Sequence, residues 1–301
     1  MSLNIERRRE RSRPTSKRGA DLQAIIDEIE ELVGLDPVKS EIYRIIDFAR
    51  IIALKKERDL PVSNASFHMI FTGPPGTGKT TIARYVGRIF YEINLLRKGH
   101  LVETDREGMV GQHLGDTAKI VKDKVKDALD GVLFVDEAYT LSGGGGPTGK
   151  TDPFGQEAMD TLLKEMEDKR DRLVCVFAGY TSEMRRFLDV NPGLRSRVSR
   201  TIEFPSYSGD ELFDIFKMMT EKNKMIVTDE AFHEVKKHID DIARSADENF
   251  GNAREVRQLF ETLQTVQAER LAYDHPNLED LTNDDLMTIN GDDIAYYLDH
   301  I

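Results

Sequence analysis

Gly73-Pro74-Pro75-Gly76-Thr77-Gly78-Lys79-Thr80 fits the pattern G-x-x-x-x-G-K-[ST] at every fixed position. Its flanks give the match its meaning. His68-Met69-Ile70-Phe71-Thr72 reads as a short buried strand, and Thr81 to Phe90 places apolar residues at helical spacing. Strand, glycine-rich loop and helix together make a phosphate-binding loop. Glycines let successive N–H groups curl toward phosphate oxygens, and the helix adds its positive end to the same anion. The expected nucleotide-binding set is therefore Gly73, Pro74, Pro75, Gly76, Thr77, Gly78, Lys79, Thr80 and Thr81. Lys79 supplies a mobile positive charge to the outer phosphates, and the Thr80 hydroxyl can ligate Mg²⁺.

Val132-Leu133-Phe134-Val135-Asp136-Glu137 is a second element of the same chemistry, a hydrophobic strand ending in two carboxylates. Beside a phosphate loop, Asp136 is expected to hold the metal through water and Glu137 to polarise the attacking water. Lys79 and Glu137 are thus catalytic candidates, and Thr80 and Asp136 metal candidates, with Mg²⁺ the expected cofactor and ATP the substrate.

The whole chain sets limits. Its 301 residues leave room for two domains, and 32% charged residues fit a charge-rich globular protein. Its longest apolar runs, such as Leu173 to Ala178, are far short of a membrane span. The arginine-rich start lacks the apolar stretch of a secretory signal, and the lone Cys175 sits in an expected core strand, so a cytoplasmic, reducing location is expected. The net charge of −12 is uneven: residues 1–19 hold seven basic and two acidic side chains, a balance of +5, so the remainder carries −17. The basic start reads as a disordered arm, and the acidic body disfavours nucleic acid as a partner.

Along the chain, residues 21–58 form two helices broken at Gly34-Leu35-Asp36-Pro37, with Pro37 in the first turn of the second. Strands are expected at 68–72, 101–104, 132–136, 173–178 and 201–204, with helices between the earlier ones, which implies a parallel sheet covered on both faces. From Gly209 the pattern is helical only. The division is a basic tail at 1–19, a nucleotide-binding α/β part at 20–207 and a smaller all-α lid at 208–301. The glycine-rich stretch Ser142 to Lys150 reads as a mobile loop. His233 and His238 are five apart, about 140° around a helix, so they do not make a zinc pair.

The phosphate loop, the Asp-Glu strand, Asn191-Pro192-Gly193-Leu194-Arg195-Ser196-Arg197 and Gly251-Asn252-Ala253-Arg254 together resemble an AAA+ ATPase. Lys98-Gly99-His100-Leu101-Val102, Phe134-Val135-Asp136-Glu137-Ala138-Tyr139 and Ala178-Gly179-Tyr180 narrow the likeness to the CbxX/CfqX family, over roughly residues 21–298. That branch includes red-type rubisco activase, stage V sporulation protein K and the ATPase domain of a type VII secretion component. The resemblance implies a P-loop NTPase fold with a five-stranded parallel sheet and a helical lid. It implies a homo-oligomeric ring, usually a hexamer, that hydrolyses ATP and remodels or threads a client protein. It suggests Arg197 as an arginine finger, with Arg195 the alternative. Arg254 would be a nucleotide-contacting second sensor, with Arg257 the alternative, and Gly34 and Leu35 would lie against the adenine. Gln112, His113 and Leu114 fall in the family's pore loop, where His113 replaces a common tyrosine. Many relatives carry an asparagine as first sensor; here Tyr180 or Thr181 stands there. A nucleic-acid motor or an ATP-gated scaffold built on the same engine are the competing functions.

Overall fold

A computed structural model of the chain describes residues 17–62, 65–113, 115–142, 152–247 and 249–300. These fall into two units. One runs to Gly73 and again from Gly78 to Phe204; the other takes Pro74–Thr77 and the chain from Pro205 onward.

The first unit is built on a five-stranded parallel sheet in the order β2-β3-β4-β1-β5. Strands β1 (His68–Thr72), β3 (Gly131–Val135) and β4 (Leu173–Gly179) are buried along their whole length, while β2 (Leu101–Thr104) and β5 (Val198–Glu203) are the half-exposed edges. Helices on both faces explain the unbroken apolar runs of the three inner strands. Side chains alternate between the faces. Ile70, Leu133, Val135, Cys175 and Phe177 pack with Val121 and Val125 of α4 (Asp116–Asp127), and with Ala158 and Leu162 of α5 (Pro153–Asp168). Val132 faces the other way, toward α3 (Lys79–Glu92), against which α1 (Lys17–Glu30) packs. Helices α2 (Asp36–Glu57), α6 (Thr181–Val190) and the short α7 (Pro192–Arg195) complete this unit.

Topology places the site. From β1, one strand in from the edge, the chain runs to edge strand β2, steps back through β3 and β4, and adds β5 on the far side of β1. Winding therefore reverses at β1, and open α/β sheets bind ligands at the carboxyl ends of the strands where that happens. The segments that leave those ends are the phosphate loop after Thr72, residues 105–115 after Thr104, Asp136-Glu137 after Val135 and Tyr180-Thr181 after Gly179.

Several boundaries differ from expectation. Strand β5 starts at Val198, because its pairing with β1 continues past a register shift at His68/Met69, and it ends one residue before Phe204. Strand β3 ends at Val135, so Asp136 lies just beyond it. Helix α1 begins at Lys17, inside the segment assigned to the basic tail, whose first sixteen residues lie outside the described residues.

The second unit holds α8 (Gly209–Lys222), α9 (Asp229–Arg244), α10 (Ala253–Asp274), α11 (Asn283–Met287) and α12 (Gly291–Asp299). Phe216 meets the rings of Phe232 and Phe260 edge-on, at 6.3 and 6.0 Å, and forms its aromatic centre. Helices alone were expected here, but β6 (Ile226–Val227) pairs in parallel with β7 (Thr288–Ile289). Two-residue strands leave no periodicity to read, and the partners are far apart in sequence. Gln267 of α10 anchors that region by donating to the carbonyls of Asp285, Leu286 and Thr288. Arg270 grips the fully buried Asp293 through two bonds of 2.7 and 3.1 Å.

Candidate nucleotide-binding site

Gly73 opens the phosphate loop at φ +143°, and its N–H donates to the Gly179 carbonyl at 3.1 Å. A Cβ there would stand 2.2 Å from the Phe204 carbonyl oxygen, so glycine is required by conformation and by space. Lys79 donates from Nζ back to the Gly73 carbonyl at 2.9 Å, which folds its ammonium over the loop. Helix α3 starts from Gly78 at φ +88° with no side-chain cap. By contrast α5, α8 and α9 are capped by Asp152, Ser208 and Thr228. An uncapped first turn offers N–H donors and a positive dipole end to an anion.

Residues 74–77 pack within the helical unit. Thr77 donates to the Pro74 carbonyl at 2.8 Å. A Cβ on Gly76, at φ +69°, would lie 1.9 Å from the Gly251 carbonyl oxygen and 3.0 Å from the Arg254 nitrogen. Asn252, fully buried and at φ +50°, holds this contact. Its amide donates to Pro75 and Phe250 carbonyls at 3.2 and 2.9 Å, and its oxygen accepts the Tyr207 N–H at 2.9 Å. Asn252 stands two residues before Arg254, the residue of this stretch expected at the site. The usable signal was an asparagine in a glycine-flanked turn before a helix, since asparagine tolerates positive φ. Arg254 and Arg257 are both exposed near the start of α10.

The paired carboxylates are held at the end of β3. Asp136 donates its N–H to Thr104 at 2.8 Å, and its Oδ1 accepts the Glu137 N–H at 3.0 Å. Glu137 adopts φ +45°, and its carbonyl accepts from both the N–H and the hydroxyl of Thr140. A non-glycine residue in that region costs about 1–3 kcal/mol, a strain found mostly at functional positions. It leaves the Glu137 side chain exposed. The donor set fits Mg²⁺: one hydroxyl at Thr80 and one carboxylate at Asp136, with no cluster of three metal-ligating side chains among the described residues. Magnesium is usually held by one or two protein oxygens plus substrate phosphates and water.

Tyr180 immediately precedes α6 and Thr181 begins it, both half-buried. The Tyr180 ring lies 6.2 Å from that of Tyr139, a residue given no role from sequence. Burial, reinforced by the Glu137 charge, pushes the Tyr139 phenol up to about 12, so it stays a neutral hydrogen-bond donor.

Arg197 follows α7 and lies against its own chain, with Nη1 donating to the Gly193 carbonyl at 2.8 Å. Arg195 is 72% exposed and 3.6 Å from an equally exposed Asp189. Gly34 and Leu35 form the turn before α2 with successive φ of +58° and +60°, and the Leu35 side chain is buried. The glycine-rich stretch 143–150 lies outside the described residues, and His238 packs edge-on against Tyr297.

Residues 69–206 match the family described as "ATPase family associated with various cellular activities (AAA)", and residues 208–300 match the AAA lid domain. The chain is 39% identical over 275 residues to stage V sporulation protein K of Bacillus subtilis, covering 91% of this chain and 83% of that one. This chain belongs to the AAA ATPases. It is also 40% identical over 281 residues to the chloroplastic ribulose bisphosphate carboxylase/oxygenase activase of Cyanidioschyzon merolae, covering 93% of each. To the ESX-3 secretion system protein EccA3 of Mycobacterium tuberculosis it is 38% identical over 280 residues, or 89% of this chain but 44% of that protein. With a CfxQ homolog of Galdieria sulphuraria also 39% identical, these relatives place this AAA ATPase in the CbxX/CfqX branch. Among solved structures it is similar in fold to the FIGL-1 AAA domain in complex with ADP (TM-score 0.60, 17% identity, 88% of this chain and 81% of that one).

In this AAA ATPase the loop after β2 is pinned at its base. The Gly111 N–H donates to Thr117 of α4 at 3.0 Å, and Arg106 pairs with Asp152 at 2.5 Å. Gln112 and His113 are exposed beyond that base, and Leu114 lies outside the described residues. No helix among the described residues is long and apolar enough to cross a membrane.

Proposed function

We propose that this AAA ATPase is a cytoplasmic ring, a hexamer of this chain, that uses Mg²⁺ and ATP to remodel a client protein. The observation that carries the reading is the exposed Glu137 carboxylate, held by a strained turn at the strand edge that also carries the uncapped start of α3. Lys79 and the first turn of α3 bind the outer phosphates, with Thr80 and, through water, Asp136 as the metal donors. Bound Mg²⁺ would neutralise charge on the phosphate oxygens. Glu137 takes a proton from the attacking water, and Tyr139, Tyr180 or Thr181 orients that water by hydrogen bonding. Arg197 of a neighbouring copy stabilises the charge that develops on the transferred group. Arg254 serves as second sensor, and Gly34 with Leu35 borders the adenine. Gln112, His113 and Leu114 grip the client, and the relatives that share this engine favour a protein client over nucleic acid. A fully buried Cys175 supports a reducing compartment.

Glu137→Gln protein tests the reading, because it should bind ATP without hydrolysing it. With ATP it should sediment as a ring and retain a protein that the Lys79→Ala control does not. A species that stays monomeric in ATP refutes the ring. Retained nucleic acid in place of protein refutes the client class.

A further inference from the structure

The guanidinium of Arg197 is held in place by two elements of its own chain. Nη1 donates to the Gly193 carbonyl at 2.8 Å. Nε is buried and makes no hydrogen bond, and the Glu167 carboxylate stands 3.6 Å from it. Glu167 lies in the last turn of α5, next to Met166. The Met166 backbone is hydrogen-bonded by His68 of β1, whose Nδ1 accepts the Cys175 N–H at 2.9 Å. Ser66, two residues before His68, donates to the Arg197 carbonyl at 2.5 Å. Main chain and guanidinium of Arg197 are thus both referenced to the strand that leads into the phosphate loop.

We infer that Glu167 is a positioning residue for Arg197: its carboxylate draws the Nε side of the guanidinium onto α5 and leaves Nη2 to reach the γ-phosphate of a neighbouring copy. This rests on the reading of Arg197 as the arginine finger. The guanidinium is a rigid plane, so fixing Nη1 and Nε fixes the direction of Nη2. A buried cationic N–H without a hydrogen bond is costly, and a nearby carboxylate is what makes the placement tenable. Donors held ready where charge will develop need no reorganisation at the moment of reaction. Arg195 lacks this support, since its pairing with exposed Asp189 is of the weak surface kind.

Steady-state ATPase kinetics of the full chain test it. Arg197→Ala should lower kcat by about 10³-fold or more. Glu167→Gln should lower kcat about three- to tenfold with KM within about twofold, as removing a transition-state interaction does. Glu167→Asp should recover part of the loss. Arg170→Ala, which removes the other cation paired with Glu167 (2.9 Å), should leave kcat unchanged. In the Arg197→Ala background, Glu167→Gln should have no further effect. Wild-type kcat in Glu167→Gln, or an equal drop in both backgrounds, overturns the positioning role while leaving the finger standing. Wild-type kcat in Arg197→Ala overturns the finger, and the role of Glu167 with it.

Discussion

His68 makes the stability of the sheet unit depend on pH in a calculable way. The ring is buried at the start of β1, and burial drives its pKa from the ordinary 6.5 down to about 4. Its Nδ1 accepts the Cys175 N–H, so the proton sits on Nε2, facing the Met166 backbone. Protonating Nδ1 would turn an acceptor into a donor facing a donor. The unfolded chain takes up a proton as pH falls through 6.5, while the folded chain resists until about 4. Stability is therefore lost progressively as pH falls across that window and levels off below it. The full interval is worth about 3 kcal/mol, and lowering pH from about 7.5 to about 4.5 should forfeit roughly 2.5 kcal/mol from this group alone. Urea unfolding followed by far-UV circular dichroism at both pH values, for wild type and His68→Asn, isolates the effect. Asparagine keeps an acceptor for Cys175 but does not titrate. The wild type should lose roughly 2 kcal/mol or more beyond what the variant loses. Equal losses in the two proteins would refute the reasoning.

The other predictions concern the site. Asn252→Ala strands the Tyr207 N–H and the Pro75 carbonyl, so thermal unfolding should register a loss of about 2 kcal/mol, and calorimetry should show weaker ATP binding. Full stability with unchanged affinity would remove its role as a clamp on the loop. Lys79→Ala should abolish binding of a fluorescent ATP analogue, and retained tight binding would overturn the phosphate-loop assignment. His113→Ala, placed in the Glu137→Gln background, should release the client that Glu137→Gln alone retains in ATP. Undiminished retention would take His113 out of the grip.

What could be read from sequence was whatever is local. The phosphate loop is one contiguous segment whose glycines are required by the backbone at 73 and 76, so eight residues carried the whole inference. The inner strands announced themselves because burial on both faces turns a strand into an unbroken apolar run, as in Leu173 to Ala178. Asp136-Glu137 followed from the strand before it. Signals that exist only between distant segments were missed. The pairing of β6 with β7 links two dipeptides with no pattern of their own. The start of β5 was missed because Val198 to Arg200 gain strand geometry from their partner β1, across a register shift no single strand could show.

Asn252 and Arg197 show why residue type alone underdetermines role. Both lie in stretches that carry the family resemblance, where the arginine is the residue whose type alone suggests a role. In the first, neutral Asn252 makes the buried contacts, through three hydrogen-bonding partners that only the folded chain assembles. In the second, the charged residue lies 3.6 Å from the carboxylate of Glu167, thirty positions earlier and unremarkable in sequence. A charge close to a reaction is effective to the degree that it is held before the reaction starts. The groups around Arg197 come from other elements: the last turn of α5 at Glu167, the short α7 at Gly193, and Ser66 just ahead of β1. If Arg197 acts across an interface, the precision of that act is set inside the donor chain. Double substitution at 167 and 197 measures it directly, because the coupling between the two sites should vanish when either is removed.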